Sequence, residues 1–363
     1  EAMLLLHEGH EQEAAERSRF WFRRLARQGD LDPDQLQFLA DLAENPGATL
    51  ADQLLSAEED LAEPLVALQA LLESLPVAPR LEIRRGDDGN LEYHTTARED
   101  TLFAAWQKVF RARVESDAPM GFDEDPWQHA GEWLPALCAH PEWLDAPAVV
   151  QSLALALASR FGSLPWMAAS LFEPLSSRLE RWLEQVRAEG EGAFLWDSAD
   201  NALLLRTGLA LVVGMERGAR ARSRELAERL LTLDDQDSLG LRELVLDQLL
   251  REGRDRAALD VSERELDGDE EAPPLGLLMG RVLALYRLER RDEAAEALAV
   301  VIRHNPHAVA MLCADNPRPV GGGVDSVAEP GSRAEAWQYR TLMRDQWRAT
   351  PGALDWLRVR LAE

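Results

Sequence analysis

The side chains with the widest chemical range in this 363-residue chain are its seven histidines and two cysteines. His7 and His10, and again His304 and His307, stand three apart, a spacing that lets two imidazoles share a metal from one helix face or turn. Neither pair is completed by a cysteine or by carboxylates in a recognised ligand arrangement, so no metal is expected. Cys138 and His140 lie on a tryptophan-rich helical stretch instead of a strand end, and no glycine-flanked serine elbow occurs; Cys138 reads as a small core residue. Gly321-Gly322-Gly323 could cradle a phosphate, but the lysine and hydroxyl residue of a P-loop do not follow it. Carboxylate pairs are everywhere in a chain with 65 Asp and Glu, and so say nothing about acid–base catalysis. No catalytic residue and no cofactor are expected, and the chain reads as a non-enzyme.

Two groups of residues suit binding. Trp127, Trp133 and Trp143 fall in an irregular central region, where indoles either line a peptide groove or fill the wide spaces between unevenly packed helices. Arg220, Arg222, Arg224 and Arg229 crowd one helical segment, with Arg251, Arg254 and Arg256 on the next turn region. They form either a local basic strip for an acidic peptide tail or internal pairs with neighbours such as Glu225 and Glu228. Trp127, Trp133, Trp143, Arg220, Arg224 and Arg254 are therefore the candidate partner-binding residues.

Charge narrows the partner. The chain carries 65 acidic against 39 basic residues, a formal net charge of −26, and Lys108 is its only lysine. Such a field repels phosphate backbones and anionic lipid, which argues against nucleic acid and membrane surfaces and favours a basic protein or peptide. The same acid also serves simply to keep a charged helical surface solvated. Only Cys138 and Cys313 occur, far apart, so neither a disulfide framework nor a zinc site is expected and a reducing, cytoplasmic compartment fits. The most apolar stretches, Ala148 to Ala158 and Ala202 to Met215, fall short of the ~20 residues that span a bilayer. They are expected to be helices buried inside a helical array.

Apolar residues recur every three or four positions through most of the chain, the period of amphipathic helices. Three segments overlay: Glu216 to Asp237, Arg251 to Asp269 and Leu288 to Pro306. The last is clearest, with Arg291-Asp292-Glu293-Ala294-Ala295-Glu296-Ala297-Leu298 ending at Asn305-Pro306, the small-residue crossing and helix-stopping proline of the second half of a tetratricopeptide (TPR) unit. Aligning Ala221, Ala257 and Ala294 gives offsets of 36 and 37 positions, against the ~34 of an ideal unit. A related pattern at Leu4 to Ala14 suggests that the chain opens partway through a repeat and that further sequence precedes Glu1. Helices are expected at Asp34 to Leu42 and Leu50 to Leu75. Residues 80–85 and 91–95, joined across Gly86 to Asn90, alternate like a β-hairpin, which needs helices to pack on. Thr350 is placed to cap a helix starting at Pro351, whose Trp356, Leu357 and Leu361 would cover the last repeat.

Near the C-terminus stand Asn305-Pro306-His307, Gly331-Ser332 before Glu335-Ala336, and Trp347 followed by Thr350-Pro351-Gly352-Ala353-Leu354. In these features residues 305–357 resemble the C-terminal region of proteins related to suppressor of tumorigenicity 7, which carry TPR-like repeats. Ala308 to Leu312 and the long Gly321 to Ala328 loop depart from that pattern, and the resemblance implies a fold and no catalytic residue.

The expected fold is all-α, a TPR-like superhelix or α-solenoid with one β-hairpin insertion. Its expected parts are N-terminal repeats at 1–79, the insertion at 80–96, a tryptophan-rich region at 97–189, TPR-like repeats at 190–312, and a loop with capping helices at 313–363. The expected function is a protein- or peptide-binding adaptor. The alternatives are an acidic regulatory subunit that neutralises a basic partner, discriminated by salt dependence, and a helical accessory domain of a longer enzyme, discriminated by upstream sequence.

Overall fold

In a computed structural model of the chain, the described residues are Arg19 and 62–362, apart from 87, 116–120, 163–167, 217, 235, 267–272, 316 and 319–327. The helices expected at Asp34 to Leu42 and ahead of Ala62, the His7–His10 pair, and the Gly321 to Gly323 loop lie outside them. The protein is mainly α-helical, with fourteen α-helices and one two-stranded sheet among the described residues. It divides into two compact units, Glu1–Leu239 and Gly240–Glu363.

The first unit is organised by the two apolar stretches. They form α4 (Pro147–Phe161) and α6 (Ala199–Met215), which pack on each other and are buried along almost their whole length. Around them lie α1 (Ala62–Glu73), α2 (Ala97–Phe110), α3 (Ala130–Ala139), α5 (Glu173–Ala188) and α7 (Arg220–Leu231). Thr96 and Glu99 start α2 with a capping box: each side chain accepts a hydrogen bond from the other residue's backbone amide. Gly214 on α6 lies under the Phe172 ring, where a Cβ would come within 2.3 Å of a ring carbon.

The expected hairpin is present, as β1 (Glu82–Arg85) and β2 (Leu91–His94) in antiparallel register, Ile83 opposite Tyr93. A lone hairpin is marginal, and here it is tied to α6. Buried Asn201 accepts from the Tyr93 amide (2.9 Å) and donates to the Leu91 and Leu195 carbonyls (3.0 Å each), while Asp200 accepts from the Thr95 amide (2.8 Å).

The second unit contains two successive helical hairpins, α8 (Leu241–Arg251) with α9 (Asp255–Leu266), and α10 (Leu275–Arg287) with α11 (Arg291–His304). Helices α8 and α10 also pack directly on each other, and Gly280 makes this possible: a Cβ there would lie 2.0 Å from Leu246. The hairpins correspond at 36 positions, as from Arg251 to Arg287. Both turns close alike, with the Arg254 amide donating to Leu249 (2.9 Å) and the Arg290 amide to Leu285 (3.0 Å). At the equivalent left-handed position stands Gly253 (φ 70°) in one turn and Glu289 (φ 61°) in the other.

This register corrects the alignment of small residues. Ala294 is buried as expected, but its counterparts are Ala258 and Ser223, because each of the three begins its helix with an amide bonded to the residue four before it. Ala257 is only half-buried and Ala221 is exposed. Ser223 replaces a methyl with a hydroxyl that donates to the Val212 carbonyl (2.8 Å).

The unit ends with α12 (Ala308–Cys313), α13 (Arg333–Ala349) and α14 (Ala353–Ala362). Thr350 does not cap the last helix with its side chain. Its hydroxyl donates to Gln346 (2.8 Å) and so closes α13, while Pro351 and Gly352 make the turn. Leu357 is buried, whereas Leu361 is 46% exposed.

Gly280→Ala should lower stability by about 1–3 kcal/mol, since Leu246 must leave its packed position, measured as a fall in the denaturant midpoint. Glu289→Gly should raise it by about 0.5–1 kcal/mol by removing a side chain from a left-handed position.

Candidate functional site on the face of two repeated helices

The structure places the candidate tryptophans inside the first unit. Trp133 is fully buried, Trp127 and Trp143 nearly so. The Trp127 indole N–H donates to the Ala156 carbonyl (2.9 Å) and that of Trp133 to Pro126 (2.8 Å). Trp127 and Trp133 meet edge to face at 5.3 Å, and Trp106 joins the set at 5.8 Å from Trp133 and 5.9 Å from Trp143. These separations are those of favourable aromatic pairs, so the indoles are one another's partners. His140 stacks on Trp143, and the neighbouring Cys138 thiol is pushed up by burial.

The candidate arginines divide between the units. Arg220 is half-buried at the start of α7, and Arg224 lies 3.7 Å from Glu228 on the next turn. Between them, Arg222 bonds Glu225 (2.9 Å) and Glu180 (3.0 Å), and Arg229 lies 3.3 Å from Glu180. Arg254, in the second unit, is exposed and 3.8 Å from Glu252. The pairing of this helix with its acidic neighbours is thus realised at Arg222, Arg224 and Arg229. Among the described residues, no group of three or more His, Cys, Asp or Glu could hold a metal ion, and no helix is long and apolar enough to cross a membrane.

A cavity of about 330 Å³ opens between α1 and α5, lined by Leu72, Pro76, Glu173, Arg178 and others. Arg178 is committed elsewhere: it donates to Leu144 (2.9 Å), Pro76 (2.9 Å) and Asp145 (2.7 Å), holding three segments together. Burial pulls its pKa down and the Asp145 charge opposes that shift.

A more organised arrangement lies in the second unit, on the side of α8 and α10 that receives α13. Arg251 and Arg287 occupy the same position in the two hairpins, and each reaches a main-chain carbonyl of α13. The Arg251 guanidinium is braced by Asp247 (3.0 Å) and donates to Leu342 (2.6 Å). That of Arg287 donates to Leu250 (2.6 Å) and Asp255 (3.2 Å) in the preceding hairpin, to the Thr350 hydroxyl (2.8 Å), and to the Gln346 carbonyl (3.2 Å). Leu342 and Gln346 are one helical turn apart, so the equivalent arginines of the two hairpins reach successive turns of α13. Between them the face receives Tyr339, Met343 and Trp347, all buried, with the Met343 sulfur 3.9 Å from Arg251. Burial pushes the Tyr339 phenol far above its ordinary pKa, opposed by the Trp347 indole N–H, which donates to its oxygen (2.8 Å).

Arg251 was visible in the sequence only as one of a cluster, and Arg287 not at all. The usable signal was their shared place as the last residue of an apolar helix, Leu249-Leu250-Arg251 and Leu285-Tyr286-Arg287.

Trp133→Ala should cost about 3–5 kcal/mol, as a fully buried aromatic does, whereas Arg220→Ala should change stability by no more than about 0.5 kcal/mol. Arg287→Ala should cost about 2–3 kcal/mol, with less than half restored by lysine, which lacks the planar fork; chemical denaturation followed by circular dichroism checks all three. Neither a protein-family model, nor a curated protein, nor a solved structure matches this chain.

Proposed function

We propose that the chain is a non-enzymatic scaffold that binds a protein or peptide partner on TPR-like repeats and works in the cytoplasm. In this reading α8–α9 and α10–α11 are consecutive turns of a right-handed superhelix, related in fold to the repeats of suppressor of tumorigenicity 7-like proteins, and their first helices line its inner, partner-reading face. The observation that carries it is the equivalence of Arg251 and Arg287 at 36 positions, each donating to the main chain of a helix laid across that face. Side chains offered at the repeat distance are how stacked repeats read an extended ligand.

The net charge of −26 favours a second reading, an acidic subunit that neutralises a basic protein. The two differ in what salt does. The full chain, immobilised, is exposed to native lysate, and any stoichiometric partner is purified and titrated between about 0.05 and 0.5 M salt. A scaffold predicts a saturable complex whose affinity changes less than about tenfold across that range, while charge neutralisation predicts a loss of several orders of magnitude, chiefly in the on-rate. Absence of any saturable partner at either salt concentration would count against both.

A further inference from the structure

On the face of α8 and α10, the occupant is a segment of the same chain. We propose that α13 is an intramolecular ligand of this face, which a partner occupies by presenting an amphipathic helix with aromatic or thioether side chains at successive fourth positions once α13 has left. The proposal rests on the scaffold reading and adds to it the kind of partner and a way of regulating access.

Three observations lead there. The contact is a single stripe, Tyr339, Met343 and Trp347 at i, i+4 and i+8, while on the same helix Leu342 is 55% exposed and Asp345 and Arg348 face solvent. This is the pattern of a helix in a groove, anchored by residues of one face. Next, each of the two arginines that hold α13 bonds a backbone carbonyl, at Leu342 and Gln346, beside its side-chain contacts to Met343, Gln346 and Thr350. Every helix has such carbonyls, so this part of the grip is indifferent to sequence, and selection falls to the side-chain stripe. Finally, the two polar-tipped aromatics of the stripe bond each other within α13. Trp347 donates to Tyr339, so removing the helix orphans neither group on the face, and Arg251 and Arg287 keep Asp247 and Asp255. Separation takes from the face the Thr350 hydroxyl that accepts from Arg287 (2.8 Å) and the Pro351 carbonyl that accepts from Tyr286 (3.1 Å), acceptors that an incoming helix has to replace.

The segment can also leave as a piece. Arg340 donates to the Met311 and Leu312 carbonyls (2.8 and 3.0 Å), binding α13 to α12, and α14 packs on both. Asn305, at the end of α11, donates to Ser332 (2.9 Å) and Glu335 (2.8 Å) at the start of α13, and so marks the point about which the piece would turn.

The test uses the full chain and a fluorescent peptide with the sequence of residues 333–349. Tyr339→Ala with Met343→Ala weakens the resident helix without touching α8 or α10. The peptide should bind this variant at least about tenfold more tightly than the wild-type chain, because the resident helix taxes the apparent affinity. A peptide carrying Met343→Asp should not bind. Equal binding to both chains, or none to a variant that keeps its helical circular dichroism, overturns the proposal. Should the variant not fold, hydrogen exchange on the wild-type chain decides: amides of 333–349 should exchange at least about 100-fold faster than those of 275–287, and equal protection overturns the proposal by making α13 part of the cooperative core. A purified partner that binds wild type and variant equally well leaves the scaffold standing and removes α13 as its regulator. Tight peptide binding to the variant, with no partner found for either chain, supports the resident-ligand role and leaves the scaffold reading without support.

Discussion

Two helices, α6 and α10, are surrounded by protein on nearly every side, and the remaining elements of each unit are arranged around that fact. A helix buried all round needs neighbours that approach closely, and polar side chains on it need partners. Gly214 admits the Phe172 ring and Gly280 admits Leu246. The polar side chains of α6 then determine what covers it. Thr207 donates back to Leu203 within the helix, whereas Asn201 requires outside partners and finds them in the backbone of β2 and at Leu195. The hairpin is placed by that requirement more than by its own stability. On α10, Arg287 has the same role, binding the preceding hairpin on one side and the C-terminal helices on the other.

The near absence of lysine gains a structural meaning from these arrangements. Arg85 donates to Gly89 and Glu191, Arg178 to Leu144 and Pro76, and Arg340 to Met311 and Leu312, in each case to carbonyls of loops or helix ends. A planar guanidinium can serve two or three such acceptors at fixed angles, which an ammonium on a flexible stem does poorly. These arginines thus tie the chain to itself through its main chain.

The sequence made some of this legible. Alternation located the hairpin, starting its first strand two residues early and ending its second one residue late, and the two longest apolar stretches were recognisable as buried helices, because side-chain period reports directly on burial. The last hairpin could be read from Ala294 and Asn305-Pro306. Registers within the degenerate repeats were not legible: adjacent alanines at 257 and 258 are equivalent to a pattern, and Ser223 does not look like an alanine until its hydroxyl is seen bonded to Val212. Thr350 was assigned to the wrong helix because a hydroxyl before Pro351 satisfies the rule for a start as well as that for an end. Arg287 was missed for a more general reason, since its acceptors lie 32 to 63 positions away and two of them are backbone carbonyls, which every residue carries and no motif records.

The aromatic set in the first unit has a consequence of another kind. Trp106, Trp127, Trp133 and Trp143 form a connected group with ring separations of 5.3 to 5.9 Å and steep mutual angles. At such spacings the ultraviolet transitions of neighbouring indoles mix and split, and their skewed orientation makes the split bands optically active. The first unit therefore carries a built-in chiral chromophore whose signal depends on the relative angles of four rings. Loosening of side chains that left every helix intact would erase it.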